Sequence, residues 1–598
     1  MQNVSQEWKD NQNELLVTES EIELSMRITD PDAYEDASAS CSDKIYFAQT
    51  NDVVSGIDYT MTPTLTLEQN LWVLDGGGKV LDTDNYGTNR YISNYRCGLD
   101  KIFTTPPIIS ISFSQVFTNL LQGITIVWST LWDEYAEEFV VTAYNNDAVV
   151  ATKRVTDNDS VKSIVYMDIA NYNCITVEIV RWSLSYRRAR VEEIVIGIDK
   201  SYTKGDIFSY SHSQSVNPLS TELPKVEVSF SINNVDNAYN PHNAQGVSKY
   251  LMERQEIKVR YGYKINDKTE WIDGGRVYLS EWDAPQDGMT AEFKASDLLE
   301  FMRKTYYGGT YYPNGISLYD LAVYVLTDAD LPLNNDGSVK WKIDESLKNI
   351  YTVAPLPIDT HANCLQLIAN AGGCVMLQDR RGVLQIKSSV NTSSNVSNTD
   401  YSINYFNSYS KSNIALSKPI KDVAIGFYQY SVATNSTELY KGTMNISGTR
   451  EIIVTYSGSA TNVNATVSGG TLNSAIYYTN ACKLIITASG DVTITVTGKS
   501  LESSKTEISI YNSDSGETVS VDNMLITSLD RASVIGEWVR SYYNNRMTLS
   551  SSWRADPRLD ALDIVDNEND YGTSKVLMTE VTYDYNGAFK GSGEGKVI

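Results

Sequence analysis

The 598-residue chain carries 49 Lys and Arg against 74 Asp and Glu, a formal net charge of −25. At roughly 150 residues per domain the length predicts three or four domains, and the acidic surface argues against a protein that grips nucleic acid, because its carboxylates repel phosphates. Six cysteines without a C-x-x-C pair and three separated histidines argue against a structural zinc site and favour a reducing compartment.

The N-terminal third is predicted to be a strand followed by a β-sandwich. Residues 21–29 alternate apolar and polar side chains, as a half-buried strand does. From about residue 64 to 198, alternating segments separated by turn residues predict a sandwich of roughly 130 to 150 residues. These segments are 109–113, 124–128, 139–144, 164–169, 175–182 and 191–198. We expect no secretory signal and no membrane span, because neither pattern occurs in the sequence.

An α+β region is predicted after residue 205. Strands are expected at 226–232, 256–263, 275–282 and 289–295, and short helices at 296–303, 317–327 and 359–371. Ser296 and Ser317 are the expected N-caps, because a side-chain oxygen there accepts from the free amides of the first turn. This mixture predicts a sheet with a few helices at its edges.

The C-terminal third is predicted to hold a small β module, a helix and closing strands. Residues 388–412, rich in Ser and Asn, predict a loop or linker. Residues 428–510 contain short alternating strands and predict an inserted β module. The stretch DRASVIGEWVRSYYNN predicts a helix because apolar residues recur at helical spacing, namely Val534, Ile535, Trp538, Val539 and Tyr542.

Catalytic motifs are missing from the sequence, which contains no H-E-x-x-H, no G-x-S-x-G and no phosphate-binding G-x-x-x-x-G-K-[ST]. Asp133 with Glu134, or Glu137 with Glu138, offer the paired carboxylates that a glycosidase needs across a sugar. A solvated acidic loop is the simpler interpretation in a chain with 74 acids. His242 has no marked Cys or Ser partner and is interpreted as a turn histidine. We predict no catalytic residue.

The stretch VEVSFSINNVDNAYNPHN, residues 226–243, begins as a strand and ends as a turn. Its second half offers the oxygen ligands of a calcium loop, but Asp236 alone is charged and the closing acidic residue is missing. Asn and Asp side chains bond their own backbone and tolerate left-handed φ, and Asn240-Pro241 favours an extended exit. We therefore predict a self-bonded turn and no metal site.

Aromatic and basic residues near strand ends of the predicted sandwich form the candidate binding site. Aromatic faces stack on sugar rings, and Arg bonds hydroxyl or acidic groups. Loops at the rim of a rigid sandwich are a usual location for binding. Trp128 continues an alternating strand and is interpreted as core, so glycan binding and a purely architectural role both stay open. The candidate glycan-binding residues are Trp132, Tyr135, Tyr186, Arg187 and Arg188, with Arg190 close by.

Two stretches of the middle region, residues 223–263 and 270–302, carry a family resemblance. They resemble the tail hub of tailed bacteriophages, in which a strand leads into an N-x-D-x-x-Y-N-P-x-N turn, followed by a W-x-x-G strand and an A-x-D-L-L helix. The matching turn residues are Asn234, Asp236, Tyr239, Asn240, Pro241 and Asn243. The later motifs match at Trp271, Gly274, Ala295, Asp297, Leu298 and Leu299.

Other parts of the chain carry further resemblances. Residues 521–539 and 551–565 resemble the hub family's D-N-P-L-I helix start and its D-P-x-L-x-x-G-D turn. Met524 replaces the usual Pro, and Ala561-Leu562 stands where a Gly is common. The region from LWVLDGGGKVLD to RARVEEIVIGI, residues 71–198, resembles a discoidin-like, galactose-binding-like β-sandwich, a module that hub proteins of phages infecting Gram-positive bacteria often carry.

For the fold, the resemblance implies a mainly β protein with α+β hub domains. Its parts would be hub β-barrels with short helices, an inserted jelly-roll β-sandwich and a second small inserted β module. The predicted domains are an N-terminal hub strand at 1–49, the sandwich at 50–199, the first hub barrel at 200–310, an α+β hub domain at 311–427, the small β module at 428–512 and the C-terminal hub part at 513–598.

For function, the resemblance implies a homotrimer whose two similar barrels per chain form a pseudo-sixfold ring at the distal end of the tail tube. The expected partners are the distal tail protein, the tail tube, the tape measure protein, peripheral fibres or receptor-binding proteins and host cell-wall polysaccharide. Phage DNA would transit without specific binding, and no cofactor is expected. The expected location is the virion tail tip or baseplate, after assembly in the host cytoplasm. The alternative is a tail-associated glycan hydrolase acting on the host wall; it is disfavoured because the lytic domain of the family usually follows the hub as a separate extension.

Overall fold

The structure is a computed structural model that describes residues 1–598 apart from 15, 30–32, 34–35, 44–49, 55–64, 67, 69–70, 72–89, 119, 244–247, 249–250, 252–253, 267, 286–287, 334–337 and 389–400. The protein is mainly β, as predicted. Among the described residues, the α-helices are α1 (Gln6–Asn13), α2 (Leu318–Asp328), α3 (His361–Ala371) and α4 (Leu529–Asn544), and the 3-10 helices are Thr50–Val54, Leu298–Arg303 and Glu345–Asn349. In the described part of the chain, no helix is long and apolar enough to cross a membrane.

The largest sheet has 13 strands and joins distant parts of the chain; we call it the central sheet. Its main path runs through Gly197–Thr203, Ser20–Thr29, Glu256–Ile265, Lys268–Asp283, Thr290–Ser296, Lys225–Asn233, Ile207–Ser215, Gly572–Tyr585, Phe589–Val597, Met547–Arg554 and Asn413–Leu416. Ile564–Asn569 also pairs with Gly572–Tyr585, and Ser402–Ile403 pairs with Ile564–Asn569. We call the path up to Ile207–Ser215 the first β unit and the remainder the second β unit.

Alternation of side chains decides which face of the central sheet is buried. Val226, Val228, Phe230 and Ile232 all lie in the core, as their period of two predicts. The ring of Phe230 stacks on Phe293 of the neighbouring strand with centroids 5.0 Å apart. Cross-strand aromatic pairs of this kind fix the register of adjacent strands.

The two β units meet where Ile207–Ser215 pairs antiparallel with Gly572–Tyr585. Behind this pairing, the ring of Tyr261 from the first unit packs 5.1 Å from that of Phe589 in the second. Helix α1 covers the shared core: the ring of Trp8 lies 5.0 Å from that of Tyr263, and its indole Nε1 donates to Asp556 at 3.3 Å. The two units therefore share one apolar core rather than forming separate ones.

The predicted sandwich region contains two antiparallel sheets that share a core. One sheet has the order Ser38–Cys41, Ile108–Phe117, Tyr172–Trp182, Ala136–Asn145 and Ala148–Val155; the other has Glu193–Val195, Leu121–Val127 and Lys162–Ile169; and Tyr91–Arg96 pairs with Arg188–Val191. Trp128 is fully buried between Phe139 and Trp182, as its alternation predicted. Residues 72–82, which open the discoidin-like resemblance, lie outside the described residues.

A helical layer follows the first β unit. Its short strands are Thr305–Tyr306, Ile316–Ser317, Trp341–Ile343, Tyr351–Thr352, Asp359–Thr360, Cys374–Gln378 and Leu384–Ser388. Ser317 caps α2 as predicted, accepting from the amide of Asp320 at 3.0 Å. The predicted Ser296 cap is wrong: the 3-10 helix starts at Leu298, and the buried carboxylate of Asp297 accepts from the amide of Leu299 at 3.0 Å.

The predicted small β module differs most from its expectation. Two of its strands are long rather than short: Ile420–Thr455 and Ala481–Tyr511 contain 36 and 31 residues and pair antiparallel as one long hairpin. Apolar side chains along both strands and from Ala460–Ser468 share one core. Gly448 has a left-handed φ of 81°, which glycine adopts without strain. Ala460–Ser468, Thr471–Tyr477 and Glu517–Val521 complete the sheet.

We predict that Asp297→Asn is more stable than the wild type, by a margin that grows as the pH rises from about 4 to 7. Burial raises the pKa of Asp297 to about 7, so between about pH 4 and pH 7 the folded chain holds a proton that the unfolded chain has released. Each pH unit in this range then lowers wild-type stability by about 1.4 kcal/mol. Asparagine keeps the acceptor for Leu299 without a titrating proton. The urea midpoint of the variant should therefore exceed that of the wild type by a margin that grows from pH 4 to pH 7.

His212→Gln is the control with the opposite sign. Burial lowers the pKa of His212 to about 4, so between about pH 4 and pH 6.5 the unfolded chain takes up a proton that the folded chain refuses. Titration of His212 therefore increases the stability of the wild type as pH rises through that window. The stability of His212→Gln should increase less with pH over the same window. A pH-independent difference between Asp297→Asn and the wild type would contradict the prediction.

Candidate functional site

The predicted glycan-binding residues lie at one end of the sandwich, in loops that hydrogen-bond to each other; we call this end the rim. Trp132 lies in a turn and is half-buried, and Tyr135 packs partly on the sandwich core. The amide of Tyr135 donates to Ser183 Oγ at 3.1 Å. Tyr186 adopts a left-handed φ of 58°, and its amide donates to the carbonyl of Gly98. The structure thus brings the three aromatic residues to neighbouring loops.

Beneath the rim lies a buried ion cluster. Glu134 is almost completely buried and accepts from Arg187 Nε at 2.9 Å and from Trp182 Nε1 at 2.8 Å. Arg190, also buried, lies 3.9 Å from Glu134 and pairs with Glu68. Although burial alone would raise the pKa of Glu68, the Arg190 guanidinium holds that pKa below its usual range. Buried charges are tolerated only when paired in this way.

The ion cluster changes what the rim offers to a ligand. The side chain of Arg187 is 10% exposed and points to Glu134 rather than to solvent. Arg188 donates from Nη1 to the carbonyl of Ser93 at 3.0 Å. Besides the aromatic rings, the rim exposes Tyr95, Leu99 and Leu184. The exposed rings and apolar side chains of the rim are accompanied by the exposed charged groups of Arg96, Asp100 and Asp133, and Arg187 holds the loops in place.

Only part of the buried ion cluster can be predicted from the sequence. Glu134 is predicted there as a solvated loop carboxylate, which is wrong because it lies in the core. Glu68 and the role of Arg190 were missed. One available signal was three arginines, at 187, 188 and 190, directly before the predicted strand 191–198, because arginine is almost never fully buried without a partner.

The remaining candidate catalytic groups, Glu137, Glu138 and His242, are engaged in separate ion pairs and turn hydrogen bonds. Glu137 pairs with Lys101 at 2.6 Å, and Glu138 pairs with Arg154 at 2.5 Å. His242 donates its amide to Asn240 Oδ1 at 2.9 Å as part of the turn. Within the residues that the structure covers, no group of three or more His, Cys, Asp or Glu is placed to hold a metal ion.

The turn after Lys225–Asn233 closes on its own side chains. Asn234, completely buried, accepts the amide of Tyr239 on Oδ1 at 3.0 Å and the amide of Asn237 on its carbonyl at 2.8 Å. Asn237 has a left-handed φ of 54°. Asn243 Nδ2 then donates to the carbonyl of Asn237 at 3.0 Å. The amide-rich sequence serves backbone geometry, as predicted, and the Tyr239 ring packs edge-on against Phe293 in the core.

Comparisons with known proteins find similarity only among solved structures: no protein-family model and no curated protein matches the chain. The 43 kDa tail protein of prophage MuSo2 from Shewanella oneidensis has 12% identity and a TM-score of 0.36, with 67% of this chain and 95% of that chain covered. The tail protein from Neisseria meningitidis has 9% identity and a TM-score of 0.36, covering 67% and 94%. Prophage tail protein gp18 from Listeria monocytogenes has 10% identity and a TM-score of 0.35, covering 66% and 91%. TM-scores this low do not establish a shared fold.

We predict that Glu134→Ala destabilises the sandwich by about 3 to 5 kcal/mol, because it removes the buried carboxylate that accepts from Arg187 Nε and from the indole N–H of Trp182. Scanning calorimetry should show a lower midpoint for the sandwich transition. Glu137→Ala is the matched control: its pair with Lys101 is partly exposed, and its loss should cost about 1 kcal/mol or less. Equal effects of the two substitutions would show that the buried cluster does not hold the rim.

We predict that Asn234→Ala costs about 1 to 3 kcal/mol, because the buried amide of Tyr239 loses its acceptor. Asp236→Ala, in the same turn, removes an exposed acceptor of the Ala238 amide and should change stability by about 0.5 kcal/mol or less. Chemical denaturation of both variants measures the difference. If Asn234→Ala is as stable as Asp236→Ala, the turn does not depend on its buried amide.

Proposed function

We propose that this protein is a structural hub of a phage tail, in which three copies close the distal end of the tail tube and leave a channel for DNA. The observation that carries the proposal is the central sheet, which runs unbroken through two β units by way of one strand pairing. A chain of this form supplies two wall segments held at a fixed angle, because neither unit can turn without opening their common core. Three such chains would supply the six segments of the pseudo-sixfold ring that the sequence resemblance implies.

The signature turn supports the same proposal from the sequence side. All six of its residues match the hub motif, and the buried Asn234 and Tyr239 fix the path of the chain out of Lys225–Asn233. Asp297 of the A-x-D-L-L motif caps the 3-10 helix that leaves the last strand of the same β unit. Two separate parts of the motif therefore hold the ends of strands in the first β unit.

The outward face of the central sheet has the chemistry that rapid DNA passage needs. Across the joint between the units this face is formed by hydroxyl side chains, and by three carboxylates that balance three lysines: Ser209, Ser211, Ser213, Lys225, Glu227, Ser229, Glu292, Lys294, Thr582, Asp584 and Lys590. Hydroxyl and carboxylate groups do not retain phosphates as a basic wall would. We propose that this face lines the channel, where DNA transits without specific binding.

The remaining partners follow from this position. We propose that the hub contacts the distal tail protein, the tail tube and the tape measure protein, and anchors peripheral fibres or receptor-binding proteins at the tip of the virion. We further propose that the sandwich is a discoidin-like module that contacts host cell-wall polysaccharide through the rim. The half-exposed rings of Trp132 and Tyr186 support this role through ring stacking, whereas the Arg187 side chain is engaged with Glu134.

An electron-microscopy reconstruction of the tail end tests the hub. Three copies should surround the tail axis, with the face that contains Ser211 and Asp584 towards the lumen. Zymography on host cell walls is the complementary measurement, since a structural hub should give no clearing band. A purified chain that stays monomeric and is missing from the tail would overturn the proposal, and so would a clearing band that is lost in Glu137→Gln.

A further inference from the structure

A second concave surface lies on the second β unit, at the edge of the central sheet farthest along its path from the sandwich-linked strand Gly197–Thr203. It is a cleft of about 230 Å³ between the loop before Asn413–Leu416 and the tight turn that joins Ile564–Asn569 to Gly572–Tyr585. We call it the edge cleft. Two tyrosines line it: Tyr571 is 94% exposed and Tyr405 is 50% exposed. Such exposed rings usually mark a contact surface.

Hydrogen bonds link the charged groups of the edge cleft to each other, while the side chains of Lys411 and Asp570 stay 74% and 53% exposed. Asp570 accepts from the hydroxyl of Tyr405 at 2.8 Å on one carboxylate oxygen and from Lys411 Nζ at 2.6 Å on the other. The bonds from Lys411 and Tyr405 hold the pKa of Asp570 below its usual range. The amide of Tyr571 donates to Asn569 Oδ1 at 2.9 Å, which fixes the turn that carries the exposed ring. These bonds place a carboxylate, an ammonium and two phenol rings side by side at one surface.

The size and charge of the edge cleft restrict its ligand. Its volume lies below the 300 to 1,000 Å³ that is typical of drug-sized ligand sites, so about one small ring fits. Lys411 and Asp570 cancel each other in charge, and Glu568 adds a negative charge to the lining. An anionic ligand is therefore disfavoured. Ser408, Ser410 and Asn569 add hydroxyl and amide groups that both donate and accept.

We propose that the edge cleft binds a neutral pyranose unit of a saccharide. The apolar C–H face of a sugar ring stacks on the Tyr571 ring, as aromatic side chains allow. Vicinal hydroxyls, each both donor and acceptor, match the carboxylate of Asp570 beside the ammonium of Lys411. The site is separate from the rim, and it does not depend on the hub proposal, since its residues all come from one β unit of one chain.

Isothermal titration of the full chain with the methyl glycosides of glucose, galactose, N-acetylglucosamine and rhamnose tests the site. At least one of them should bind, and Tyr571→Ala should weaken its binding about fivefold to tenfold. Tyr571→Phe keeps the ring and should bind as the wild type does. Lys411→Met keeps the aliphatic stem but removes the donor, and it should weaken binding as well. Tyr324→Ala is the matched control, because it removes an exposed tyrosine from α2, far along the chain from the cleft.

Three results would overturn the proposal. The first is that none of the four glycosides binds. The second is that Tyr571→Ala binds as tightly as the wild type. The third is that Trp132→Ala at the rim abolishes all binding while Tyr571→Ala does not. Sedimentation velocity tests whether the exposed tyrosines contact another copy of the chain instead of a saccharide. If Tyr571→Ala changes the oligomeric state, they do, and the saccharide site is rejected. Since Tyr571 is almost fully exposed, its replacement leaves the fold intact.

Discussion

The pairing of Ile207–Ser215 with Gly572–Tyr585 is the contact on which the architecture depends. It joins residues far apart in the chain: Ser211 Oγ donates to Asp584 Oδ1, 373 positions away, at 2.8 Å. The cost of closing so long a loop grows only slowly, by about 0.6 kcal/mol for each doubling of its length. The helical layer and the long hairpin can therefore be inserted between the two β units at little cost, provided that the aromatic core around Tyr261 and Phe589 still forms.

Local sequence signals predicted most of the elements, because those elements are specified by periodicity and capping. The alternation at Val226 to Ile232 and the Ser317 cap are confirmed by the structure. The predictions fail where a contact between residues far apart in the chain determines the local structure. Helix α1, QEWKDNQN, lacks an apolar stripe and was missed; its single large anchor, Trp8, is buried in the core that the two β units share. At Ser296 the competing Asp297 caps the helix, since the burial of Leu298 and Leu299 sets where the helix starts.

The candidate sites show the same division between local and distant information. Aromatic residues at strand ends are visible in the sequence, and the structure brings Trp132, Tyr135 and Tyr186 to neighbouring loops. The partners of Arg190 were not predictable in this way, because Glu68 lies 122 positions away and no local pattern links them. The edge cleft is the stronger example: Tyr405 and Asp570, 165 positions apart, are adjacent only after the second β unit has assembled.

The groups that fix the geometry of this chain are separate from its exposed aromatic groups, and the physical reason is burial. Groups that fix geometry, such as Glu134 and Asn234, are buried with their acceptor oxygens engaged, so they cannot contact a ligand without breaking the fold. The exposed aromatic groups lie in loops, at the rim of the sandwich and in the edge cleft beside the last strand of the central-sheet path. If both surfaces take saccharide, each contact is small and weak by itself. Binding to a polymeric wall would then depend on many linked contacts in one assembly. Once one site has bound, the other sites meet the polymer at a high effective concentration, so the assembly binds more tightly than any single site does.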